Sequence, residues 1–181
     1  MVAYGIYEDN GREDNDHQVI LQYDPSVFDE YGHSLNQAKP HYSGPESAEQ
    51  RYYLYTGNTR YGVQNLEYDP NSRTWLVAVY RGKKEKYTDF VLFFIDAAVP
   101  AKEQTLLGRD GETGLLLTLA PLGENGKENI RGSHFPLGST GVYSFGDGKF
   151  YFSRPLKKDK TFASLTELYK MTPDGIFCRE L

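Results

Sequence analysis

A motif that occurs twice constrains this chain more than any other feature. Residues 7–24 read Y-E-D-N-G-R-E-D-N-D-H-Q-V-I-L-Q-Y-D and residues 55–69 read Y-T-G-N-T-R-Y-G-V-Q-N-L-E-Y-D. Both open with Y-x-x-N-x-R and both close with L-x-Y-D. The closing residues, Asp24 and Asp69, lie 45 positions apart. A period of that size points to structural units that repeat and stack. The type of unit follows from which residues fill it. Of 181 residues, 15 are Tyr and 10 are Phe, whereas Met contributes 2. Rings of this kind pack on a pleated, half-buried surface, so the units are expected to be strands. Gly (18) and Pro (9) supply the turns between them. An all-β chain of short strands follows.

Residues 18–23 form a β-type run closed by Asp24-Pro25. Residues 25–50 are polar, with two His, and read as a long loop with one helical turn near 47–50. Residues 51–55 form the next strand. Residues 63–68 and 74–80 form a hairpin around D-P-N-S-R, whose Pro, Asn and Ser suit a turn. Trp75, Val77 and Val79 fall on one face and Leu76, Ala78 and Tyr80 on the other. Both faces are largely apolar, as for a strand packed between neighbours. Residues 89–96 (D-F-V-L-F-F-I-D) are a buried strand by length and composition, and 115–119 another. Residues 140–145 and 149–153 flank a D-G turn, and 165–171 and 176–180 flank T-P-D-G. A degraded third copy of the motif is legible at 138–147, which requires an insertion or a diverged unit before it.

Ten or eleven strands result. The strand–turn–strand units at 63–80 and 140–153, each preceded by a Gly-containing turn, resemble blades of a β-propeller. At about four strands per blade the chain makes two to three, fewer than closure needs. It is expected to be one β-repeat domain over residues 1–181: an open or partial propeller of antiparallel blade-like sheets, a fragment of a longer one, or half of a ring completed by a second copy. A β-sandwich from the same strands is the alternative. No WD dipeptide, kelch double glycine or sialidase Asp-box occurs. The short aromatic blades are similar to those of five-bladed glycosidases, a likeness of fold that implies no activity by itself.

Net charge is −5. The one dense basic run, Arg81 to Lys86, reads as a hairpin tip, so nucleic acid is not expected as a partner. No apolar stretch approaches the roughly 20 residues of a membrane helix. The single cysteine, Cys178, allows no internal disulfide and leaves the compartment open. The first residues lack a basic segment followed by an apolar one. The expectation is a cytoplasmic protein, or an extracellular one if an upstream part is missing.

Three clusters could carry chemistry. The first holds Arg12, Asp14, Asp16 and His17 among neighbouring acids. Its carboxylates could bind calcium, although the EF-hand spacing is absent, and they equally suit a solvated turn. No other cofactor is implied. His17 beside Asp16 could shuttle a proton or sit at the mouth of a strand. The second cluster is Asn58, Arg60, Gln64 and Glu67. Asn10 and Asn58, and Arg12 and Arg60, recur at matching places, which favours a structural job; at a channel mouth they would suit a sugar or carboxylate. The third is Arg131, Ser133 and His134. Adjacent side chains in extended chain point apart, so Ser133 and His134 make a poor nucleophile–base pair, and no G-x-S-x-G elbow, P-loop or H-E-x-x-H is present. With no catalytic signature, the first expectation is a binding or interaction module for a carbohydrate or small polar ligand. A glycosidase-like protein pairing Asp14 or Asp16 with Glu67 is the second. A homo-oligomer joined through sheet edges is the third.

Overall fold

The computed structural model of this protein describes residues 2–4, 16–34, 36–38, 44–57 and 59–180. In chain order the elements are β1 (Val2–Tyr4), β2 (His17–Gln22), α1 (Val27–Tyr31), β3 (Gln50–Tyr55), β4 (Thr59–Asp69), β5 (Thr74–Arg81), β6 (Leu92–Asp96), β7 (Lys102–Thr105), β8 (Thr113–Leu116), β9 (Glu124–Asn125), β10 (Arg131–Gly132), β11 (Val142–Ser144), β12 (Lys149–Lys158), β13 (Thr161–Met171) and β14 (Phe177–Arg179). Strands take 48% of the chain and helix 5%, so the fold is nearly all-β.

Three sheets carry the architecture. One has the order β1-β2-β3-β8-β7, the next β4-β5-β6, and the last β11-β12-β13-β14. A short β9–β10 pair is attached to β6 through an isolated bridge between Leu92 and Ser133. Neighbours are antiparallel except β3 and β8, which pair in parallel at Tyr52 with Leu115 and Tyr53 with Leu116. None of the sheets closes into a barrel.

The β4-β5-β6 sheet is the middle layer, and its alternating side chains show why. Val77, Val79, Phe93 and Ile95 join Ile20 and Leu54 of the five-stranded sheet in one core cluster. Leu76, Ala78, Leu92 and Phe94, one residue out of phase, join Phe150 and Phe152 of the four-stranded sheet in another. A period-2 strand with apolar residues on both faces needs a partner on each side. The two outer sheets supply them, as the apolar faces of residues 74–80 led us to expect. Burying each such side chain stabilises the fold by about 1.5–3 kcal/mol before conformational entropy is subtracted.

Three local expectations differ from the structure. In the segment after β2 the helix lies at Val27–Tyr31 rather than near 47–50. There Asp24 accepts the N–H of Ser26, and Asp29 and Glu30 sit in the first turn, where acids are favoured. The buried run at 89–96 pairs as a strand only from Leu92. The strands expected at 149–153 and 165–171 are longer than expected and form a hairpin with each other, because β12 and β13 pair continuously from Lys149–Lys170 out to Lys158–Thr161. Pro155 and three lysines look like strand breakers in sequence, but Pro is tolerated at a sheet edge and Asp159 takes the left-handed φ of 55° that closes the two-residue turn.

The opening half of the first motif copy lies outside the described residues. The closing halves do different work. Asp24 follows β2, is exposed, and is held below the usual carboxylate range by its hydrogen bonds with Ser26. Asp69 ends β4 fully buried, accepting the Ser72 N–H (2.9 Å), the Ser72 hydroxyl (2.6 Å) and the Ser144 hydroxyl (2.6 Å).

Candidate functional site: an exposed aromatic face

The bond from Ser144 to Asp69 places a cluster of exposed aromatic side chains. β4 also offers Glu67, whose Oε1 accepts the Ser144 N–H at 2.7 Å. Two acids of the middle sheet thus hold the end of β11, and with it the turn 145–148. Gly146 and Gly148 in that turn have φ of 76° and 84°. A Cβ on Gly146 would lie 2.9 Å from the Pro70 ring, so the turn is packed against the β4–β5 turn and glycine is required there.

From this anchor, β12 sends alternate side chains to opposite sides. Phe150 and Phe152 are fully buried between the sheets. Tyr151 points outward, directly across from Tyr143 on β11. Tyr143, Phe145 and Tyr151 are 56%, 46% and 43% exposed. Their rings touch edge-to-face, with centroids 5.2 Å apart for Tyr143–Phe145 and 4.8 Å for Phe145–Tyr151. Leu168 on β13 is the next residue in the Tyr143–Tyr151 row. An apolar patch of this kind on water is costly unless something covers it in use.

The row below is basic. Phe145 hydrogen-bonds the Lys149 carbonyl, and Lys149 pairs across to Lys170. Like charges directly opposite on one sheet face destabilise each other. Among the described residues neither lysine has an ion-pair partner. Lys170 also lines a cleft of about 580 Å³ between the four-stranded sheet and the β4–β5 turn, together with Asn71, Arg73, Asp96, Asp147 and Thr172. In that cleft one oxygen of Asp96 is taken by the Ala98 N–H and one of Asp147 by the Lys149 N–H. The face therefore combines an aromatic platform with two lysines that have no ion-pair partner, and Lys170 joins it to a cleft of mixed polar and apolar lining, Leu122 and Met171 among the latter.

The residues singled out from sequence sit elsewhere. Arg12, Asp14 and Asn58 lie outside the described residues. Arg60 falls in β4. Asp16 is 6% exposed and accepts hydrogen bonds from the Lys84 ammonium and, at 2.8 Å, from the Tyr87 hydroxyl. The Tyr87 and Tyr55 hydroxyls are 2.9 Å apart. Burial, followed by the bond to Tyr55, pushes the Tyr87 phenol well above its usual range. His17 is buried against Tyr53 and Tyr55, and its Nδ1 has no hydrogen-bond partner. Burial and then the Arg109 charge lower it from 6.5 to about 4. A neutral, enclosed imidazole of that kind is a core residue rather than a proton shuttle at neutral pH.

Gln64 is half-buried in β4, its amide 3.5 Å from the Gly62 carbonyl. Asp16 and Glu67 are not brought together: Asp16 bonds Lys84 beyond the open end of the β4–β5 hairpin, and Glu67 lies two residues from its turn. Arg131 donates to the Gly123 carbonyl at 2.9 Å. His134 faces Asp89 at 3.6 Å and packs on Phe90. The Ser133 hydroxyl accepts the Phe135 N–H, and the carboxylate that faces the His134 ring is Asp89. Among the described residues no three His, Cys, Asp or Glu side chains converge as a metal site, and no helix is long and apolar enough to cross a membrane.

The aromatic face was missed although a signal for it existed. Around the D-G turn at 147–148, buried Phe150 and Phe152 fix the phase, and the same period-2 alternation sends Tyr143, Phe145 and Tyr151 outward. What fold and site define is a class: an open, stacked all-β protein with one exposed aromatic and basic sheet face. No family model matches the chain, and no curated protein or solved structure matches it.

Proposed function

We propose that the protein is a non-catalytic binding module of stacked blade-like sheets, and that it holds an acidic carbohydrate on the outer face of its four-stranded sheet. The observation that carries this reading is the contact cluster of three exposed rings, Tyr143, Phe145 and Tyr151, beside two lysines without carboxylate partners. Sugar rings present C–H faces that pack on aromatic surfaces, and their hydroxyls meet polar groups at the rim. The opposed Lys149 and Lys170 supply a place for negative charge, which a neutral sugar would leave unused. Arg73, Asn71 and Thr172 in the adjoining cleft extend the polar edge. The rings lie on a strand-borne, firmly anchored surface, so little order has to be gained on binding.

The test is calorimetric titration with a uronic-acid oligosaccharide and with its neutral counterpart. The acidic ligand should bind and the neutral one should bind at least tenfold more weakly. Tyr143→Ala and Tyr151→Ala should each weaken the acidic ligand about tenfold, equal to roughly 1.4 kcal/mol. Absence of binding to acidic and neutral sugars alike would remove the proposal.

A further inference from the structure

Beyond the body of the four-stranded sheet, β12 and β13 continue as a two-stranded arm. All side chains from Arg154 to Thr166 are exposed. A two-stranded ribbon with water on both faces is marginal by itself. Its two edges are built differently, and the difference indicates what the arm is for.

Along β12 the outward backbone groups belong to odd-numbered residues, since the Ser153 N–H donates to Gly141 on the β11 side. The next outward position is Pro155, which has no N–H to offer, and the one after it is Lys157. Proline and lysine at outward positions are the devices that keep a sheet edge from recruiting another strand. Along β13 the outward groups belong to even-numbered residues: the Leu168 carbonyl accepts the Glu180 N–H on the β14 side, and the Met171 N–H points the other way, to Gly148. β14 pairs only with Tyr169–Met171. The outward backbone of Phe162, Ser164 and Thr166 is therefore unpaired within the sheet. Residues 161–166 read T-F-A-S-L-T, with no charge and no proline. This edge carries none of the protection found on the other.

We infer that the β13 edge pairs with the β13 edge of a second copy of this chain, antiparallel and about a two-fold axis at Ser164. In that register Ser164 meets the partner's Ser164, and Phe162 meets the partner's Thr166. Each of these is an outward-facing residue, so each pair exchanges both N–H···O bonds. Side chains agree with the backbone. Ala163 falls opposite the partner's Leu165, and Leu156 lies beside Ala163 on β12, so an apolar stripe crosses the joint. This stripe continues the face that buries Phe150 and Phe152. Charge fits as well. Glu167 is already matched by Arg154 at 2.7 Å and Arg179 at 2.9 Å, and the partner's Lys160 arrives beside Glu180. The register is the longest that stops short of Glu180.

A two-fold axis perpendicular to the sheet keeps equivalent faces on one side. The two aromatic patches would then lie side by side, roughly 30 Å apart by strand rise and spacing. If the carbohydrate reading holds, a polymeric ligand would bind both patches with avidity. The pairing itself does not depend on that reading and is measured without sugar.

The test is sedimentation over a wide concentration range with wild type, Ser164→Pro and Lys157→Pro. Wild type and Lys157→Pro should dimerise with rising concentration. Ser164→Pro removes an outward N–H at the axis and should stay monomeric with an unchanged strand signal in circular dichroism. A second readout does not depend on how Ser164→Pro folds. In a Cys178→Ser background, Ser164→Cys should form a covalent dimer under mild oxidation. A wild type that is monomeric throughout, a dimer indifferent to Ser164→Pro, or no crosslink at position 164 would each overturn the inference.

Discussion

Two regions of this molecule are built from the same kinds of residue and have opposite properties. At the open end of the β4–β5 hairpin, Asp16, Tyr55, Lys84 and Tyr87 are enclosed and bonded to one another, with His17 packed against Tyr55. On the outer face of the four-stranded sheet, Tyr143, Phe145, Tyr151, Lys149 and Lys170 are grouped as closely but without partners for their charges. Tyrosines beside charged groups therefore indicate nothing until burial and pairing are known. In the enclosed group, Asp16, Lys84, Tyr55 and Tyr87 spend their hydrogen bonds on one another, and His17 packs against Tyr55. The exposed group leaves its ring faces and ammonium groups open to solvent.

The sharpest way to break this comparison is to cut the enclosed network. Asp16→Ala should destabilise the protein by about 3–5 kcal/mol, because it removes a buried carboxylate that accepts from both the Lys84 ammonium and the Tyr87 hydroxyl. Chemical denaturation would read this as a lower midpoint. A loss below about 1 kcal/mol would mean the network is not structural.

The second effect is a pH dependence centred on His17. Its value is about 4 in the fold against 6.5 ordinarily, so between those values the unfolded chain binds the extra proton. Stability is therefore complete above about pH 6.5 and falls as pH drops toward 4. The loss should reach about 2–3 kcal/mol at pH 4. Denaturation at pH 7 and pH 4.5 checks it: His17→Phe should flatten the His17 part of the difference, leaving only what the carboxylates contribute.

The smallest effect on stability belongs to the exposed face. Lys170→Gln relieves the opposition to Lys149 and should change stability by no more than about 0.5 kcal/mol in either direction. It should still weaken an acidic sugar severalfold, by an amount that shrinks as salt is added. Thermal melts and titrations at two ionic strengths would separate the two readouts. A large stability loss on Lys170→Gln would place this face in the same structural category as the Asp16 network.

Much of the fold could be read from residues alone. Alternation along residues 74–80, apolar on both faces, foretold a strand between two layers, and the structure makes it the centre of the middle sheet. The turn at 147–148 foretold the β11–β12 hairpin. The candidate site was legible in the same alternation, but attention to charged and repeated residues pointed away from it. The motif acids Asp16 and Asp69 proved to be buried anchors, and the repeated letters of L-x-Y-D ended in one exposed and one enclosed aspartate.

By itself, the sequence determined strand identity, most turns and which residues face together, because side-chain direction in a strand follows a local period of two. Tertiary structure alone decided which of those faces would be covered. Whether a tyrosine row becomes core or surface depends on which sheet stacks against it, through contacts between residues far apart in the chain. Ser144 lies 75 positions from Asp69 and Tyr87 lies 71 from Asp16. Their bonds fix the enclosed network and leave the aromatic face open, and no local pattern encodes them.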